Sequence, residues 1–154
     1  MTDRGEPRHQ QLARNLNELL AELRVAQAGV QILFGFLLAV AFTELFRAAS
    51  GFEKGLYLVT VLFTATATAL LTAPAAWHRL LFREGQRTQI LRVGNRVVVA
   101  GLVCLAVAVT LTVALIVKVI FGGVVMAVLA AFVGGTFTVL WFVMPRVLRG
   151  RRPE

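Results

Sequence analysis

A single cysteine, Cys104, is all the thiol chemistry in this 154-residue chain. One cysteine forms no internal disulfide, and Cys104 lies in the middle of an apolar run, so it reads as a small packing residue rather than a redox centre. Its position also gives no expectation of lipoprotein anchoring. Histidine is nearly missing, with only His9 and His78. No HExxH, no glycine-rich phosphate loop and no nucleophile–base–acid set occurs. The chain is therefore expected to be no enzyme and to hold no metal and no cofactor. Acids are half as numerous as bases, eight against sixteen, for a net charge of +8. No zinc, helix-turn-helix or aromatic RNA-binding motif accompanies that charge, and nucleic acid is not the expected partner.

Charge is missing most clearly from four long runs, Ala26–Phe46, Gly55–Trp77, Val97–Val117 and Gly122–Met144. Each is about as long as the ~20 residues a helix needs to cross a bilayer. With 58% hydrophobic residues and a mean hydropathy of +0.76, one four-helix membrane domain accounts for the chain. The expected fold is an all-α, four-helix antiparallel transmembrane bundle. A disordered tail over 1–10 precedes the membrane domain over 11–146, and a basic tail over 147–154 follows it.

The charges that are present alternate along the chain. Arg4, Arg8, Arg14 and Arg24 precede the first run. Arg79, Arg83, Arg87, Arg92 and Arg96 separate the second from the third, and Arg146, Arg149, Arg151 and Arg152 follow the fourth. The other two connections hold only Arg47, Lys54 and Lys118. This is the positive-inside pattern, and it implies that both termini are cytoplasmic. Anionic lipid headgroups are the expected partner of the basic loops. About 25 polar residues before a run longer than a signal-peptide core argue against a cleaved signal.

Leu12, Leu16, Leu19 and Leu23 recur in a heptad seam, with no Pro or Gly between Leu12 and Ala28. Residues 12–24 either lie on the membrane surface as an amphipathic helix or continue the first membrane helix as one rod of about 35 residues, roughly 50 Å. The unbroken helical phase favours the rod. The link Lys118–Gly123 is short enough to force an antiparallel hairpin. Trp77 and Trp141 are placed as interface anchors.

Three groups of residues stand out. At the basic end, Glu18, Glu22, Arg24, Gln27 and Gln31 on the first helix are placed by topology beside His78 and Arg79 of the second and Asn95 and Arg96 of the third. They form either an ion-paired collar fixing how three helices enter the bilayer or a gate. Thr60, Thr64, Thr68 and Thr72 form a stripe on the second helix. It either packs, each hydroxyl bonding back to the i−4 carbonyl, or lines a polar path with Gln31. Gly123, Ala127, Ala131 and Gly135 repeat every four residues on the fourth helix, a small-residue row suited to close helix packing. Glu44, the one acid inside a run, is expected to pair with Arg47. The central turns of the second, third and fourth runs carry no ionisable side chain, which weighs against proton-coupled exchange.

The segments Asn17–Phe34, Ala73–Phe82 and Arg92–Arg96 resemble the bacterial membrane-protein family catalogued as domain of unknown function 6328, over about Leu16–Arg146. The resemblance implies a four-helix membrane protein and carries no established activity. From the residues, the expected function is an oligomeric channel or permeation protein for a small ion or solute. The alternative is a non-conducting structural or accessory subunit of a larger membrane complex. The small-residue row on the fourth helix and a second one, Ala65, Ala69 and Ala73 on the second helix, point to a homo-oligomer or to that larger complex.

Overall fold

The structure, a computed structural model, describes residues 8–81 and 87–150, with side-chain surroundings for residue 21, residues 23–77 and residues 93–148. Helix α1 runs unbroken over Arg8–Val40. Residues 12–24 thus extend the first membrane helix as a rod about 50 Å long at ~1.5 Å per residue. The helix takes in residues 8–10 of the expected tail; residues 1–7 lie outside the described residues. Leu23, Val30 and Leu37 are buried at seven-residue spacing, and Ala26, Leu33 and Val40 are half-buried between them. The leucine seam therefore continues through the membrane as the face that packs.

Helix α1 ends at Val40, six residues before the expected Phe46. Apolar character alone places no boundary inside Ala41–Phe46, and Thr43 sets it. The Thr43 hydroxyl donates to the Val40 carbonyl at 2.8 Å and accepts from the Phe46 amide at 3.2 Å, capping the short helix α2, Glu44–Arg47. Helix α3, Gly51–Leu81, then opens on a capping box: the Ser50 amide donates to Glu53 Oε2 at 2.8 Å and the Glu53 amide to Ser50 Oγ at 3.4 Å.

Helix α3 passes through Pro74, which is buried, and reaches four residues beyond Trp77. Helix α4, Arg87–Phe121, returns antiparallel to it. Residues 82–86, between the two helices, lie outside the described residues. Gly122 closes the next hairpin with φ +86° and ψ −176°, a region nearly exclusive to glycine. Helix α5, Gly123–Thr138, a π-helical turn over Val139–Val143 and helix α6, Met144–Gly150, make one continuous fourth span. Pro145 explains the wide turn. Its ring has no N–H for the Trp141 carbonyl and would press against it, and one extra residue per turn relieves the clash.

Helices α3 and α4 form the most extensive contact. A Cβ on Gly101 would lie 3.0 Å from the Leu71 side chain, so glycine sets that approach. Leu23, Leu71 and Val98 close the buried centre where α1, α3 and α4 meet, with Ala26, Leu102 and Leu105 around them. Helix α5 packs chiefly on α4 and buries no residue fully. The result is a helical bundle with a three-helix centre and a fourth helix at its edge. Four helical stretches, Leu23–Val40, Gly51–Trp77, Val93–Phe121 and Gly123–Leu148, are long and apolar enough to cross a membrane. The chain is a membrane protein.

Candidate functional site: polar residues of the membrane helices

The threonine stripe of α3 begins inside the bundle and ends outside it. Thr60 and Thr64 have no exposed surface, Thr68 is half-buried and Thr72 is exposed. Each donates to the carbonyl four residues back, at 2.7, 2.8, 2.9 and 2.8 Å respectively. Thr66, Thr110, Thr112, Thr136 and Thr138 do the same at 2.8 Å. A hydroxyl that bonds its own helix needs no water and no partner helix. All four hydroxyls of the stripe thus have the i−4 back-bond that the packing alternative calls for, while only Thr60 and Thr64 are fully buried.

Of the nine residues expected at the basic end, Arg24, Gln27, Gln31, Asn95 and Arg96 are described; Glu18, Glu22, His78 and Arg79 lie outside the residues whose side chains are described. Arg24, Asn95 and Arg96 are exposed. Gln27 is half-buried and crosses to the next helix, its Nε2 donating to the Leu71 carbonyl at 2.9 Å. That carbonyl sits beside the Pro74 distortion, where the missing N–H leaves the adjacent Leu70 carbonyl without its helical donor. Gln31 behaves differently. It is exposed on the outer face of α1, makes no hydrogen bond among the described residues, and does not meet the threonine stripe. Arg24, Gln27 and Gln31 thus do not act as one row: Gln27 joins the α3 contact and the other two face outward.

The row Gly123, Ala127, Ala131 and Gly135 is exposed along its whole length. Helix α5 turns a neighbouring stripe, Met126, Ala130, Gly134 and Phe137, toward α4, and Thr110 Cγ2 would lie 3.5 Å from a Cβ on Gly134. Among the described residues, a Cβ placed on Gly135 meets nothing within 4 Å, and one on Gly123 meets Lys118 Nζ at 3.6 Å.

At the end of the bundle away from the arginines, Glu44 pairs with Arg47 at 3.2 Å on the surface, as its spacing implies. Lys54 Nζ donates to the Arg47 carbonyl at 3.0 Å. Tyr57 is a structural residue that sequence reasoning missed. Its hydroxyl donates to the Leu37 carbonyl at 2.9 Å, and its ring lies 4.6 Å from that of Phe46. The available signal was a lone tyrosine one turn into the second run, opposite the end of the first. Trp141 lies in the π turn, edge-on to Phe137 at 4.9 Å. A hollow near this end is lined by Val40, Phe46, Leu115 and Val119 with Thr43 and Glu53 at its rim, and is mostly apolar. Among the described residues, no three His, Cys, Asp or Glu side chains come together as metal ligands.

No curated protein and no solved structure matches this chain. Residues 5–145 match the family described as "Family of unknown function (DUF6328)", a stretch that covers the first three membrane spans and most of the fourth. A match over that much of the chain establishes membership: the protein belongs to DUF6328, a family of unknown function.

Proposed function

We propose that this chain is a non-conducting structural or accessory subunit, without catalytic activity, in a bacterial cytoplasmic membrane, both termini facing the cytoplasm. The observation that carries the reading is the threonine stripe. Its buried members, Thr60 and Thr64, have their hydroxyls bonded to their own helix. Gln31, the other polar residue of the expected path, is exposed where they are buried. Among the described residues, no continuous row of free polar groups stands ready to replace the hydration shell of an ion. The orientation rests on the alternation of basic-rich and basic-poor connections.

The outward position of Gln31 favours one second reading, a permeation path between copies rather than through one. Flux across liposomes containing the purified chain separates the two. Background ion and proton flux across pH and salt is expected. Sustained flux that Gln31→Leu abolishes would replace the accessory reading with the path between copies.

A further inference from the structure

Two cross-helix bonds bracket the depth of Gln31: Gln27 to the Leu71 carbonyl toward the arginine-rich end, and Tyr57 to the Leu37 carbonyl toward the other. Gln31 falls between these ties, level with the centre of Gly51–Trp77 on α3. At this depth there is no water. Every described threonine of the spans donates to a carbonyl, and so do Tyr57 and Gln27. Gln31 is exposed and has no such partner among the described residues. A primary amide facing hydrocarbon with its donors and acceptor unsatisfied is strongly unfavourable, and glutamine is too short to reach the interface from mid-depth.

The face around it is shaped for a neighbour. Ala28 and Gly35 lie at i−3 and i+4 from Gln31, both exposed, and a Cβ on Gly35 would meet nothing within 4 Å. Small residues on either side of a polar one let a second backbone come close enough for the amide to bond across.

We propose that the Ala28–Gln31–Gly35 face of α1 is a self-association surface on which a second copy of this chain docks in parallel, the two Gln31 amides exchanging hydrogen bonds across a twofold axis. A primary amide is both donor and acceptor, so it is its own complement. Two copies inserted with the same orientation place their Gln31 residues at equal depth, as a twofold interface requires. The inference rests on the non-conducting reading, in which hydrocarbon rather than water surrounds Gln31.

The test is energy transfer between full-length copies labelled at the N-terminus in phosphatidylcholine vesicles, followed as lipid dilutes the protein. Wild type is expected to show transfer that falls with dilution. Gln31→Leu should weaken association about tenfold, which is about 1.4 kcal/mol, while Gln31→Asn stays within about threefold of wild type. An unchanged thermal midpoint for Gln31→Leu shows that the fold is intact, since the side chain faces outward. On a Cys104→Ala background, Ala28→Cys should cross-link copy to copy and Leu33→Cys, on the α3 side, should not. A wild type that stays monomeric at every dilution overturns the proposal. Association indifferent to Gln31→Leu overturns it too, as does an Ala28→Cys variant that cross-links in native membranes only to a different protein.

Discussion

Gln27 and Gln31 are one turn apart on α1, about 40° around the helix axis, yet their amides meet opposite surroundings. Gln27 bonds the Leu71 carbonyl next to a proline; Gln31 has no acceptor within the described chain. Their identity and spacing were legible from the sequence, but the sequence placed both near the basic end, whereas the cross-helix ties set Gln31 level with the centre of α3. Which of them turns inward was not legible either. The heptad seam and the outward face of α1 meet between them, and inside a membrane nearly every neighbour is apolar, so polarity marks no inner side. Gln27→Leu removes the cross-helix bond, and a loss of about 1 kcal/mol in stability is expected. Reversible denaturation in detergent measures it. A change below a few tenths of a kcal/mol would mean that the bond contributes nothing net.

At the scale of elements, boundaries were set by single residues that hydropathy does not register. Thr43 stops the first span at Val40 by capping α2, although Phe42 and Leu45 continue the apolar run. Pro145 widens a turn of the fourth span. The α4–α5 hairpin was legible from its length, but Gly122 and Gly123 were equivalent in the sequence. Only Gly122 has positive φ, in a region that a Cβ makes strained. Gly122→Ala should therefore lower stability by about 1–3 kcal/mol, and Gly123→Ala, whose added Cβ meets only the flexible end of Lys118, should be milder. Thermal unfolding of the two variants side by side checks the difference. Equal losses would locate the turn elsewhere.

For the whole molecule, the arrangement leaves α5 on one flank of α4 and the outer face of α1 uncovered on the other. Lipid covers the apolar part of both surfaces at no penalty, because hydrocarbon tails are as apolar as valine or leucine. The exposed Val124, Val128 and Phe132 of α5 are ordinary on that account; the exposed amide of Gln31 is not. Orientation belongs to this scale as well. Thirteen of the sixteen basic residues fall in the segments that precede the first span, link the second to the third and follow the fourth. A reporter active only in the periplasm and fused after Arg152 is expected to be silent, and an active fusion would reverse the proposed topology.

Four membrane spans, their antiparallel order and the rod-like first helix were determined by the sequence alone. They follow from the lengths of apolar runs, the short links and an unbroken helical phase, all local quantities. Tertiary structure decided which face of each helix meets another. It buried Thr60 and Thr64 and exposed Thr72; it turned Gln27 inward and Gln31 outward; and it packed α5 through Gly134 rather than through the Gly123–Gly135 row. The physical reason lies in the solvent. In water, the polar face of a helix declares its outside, whereas in a bilayer both faces are apolar and only the fit between helices distinguishes them.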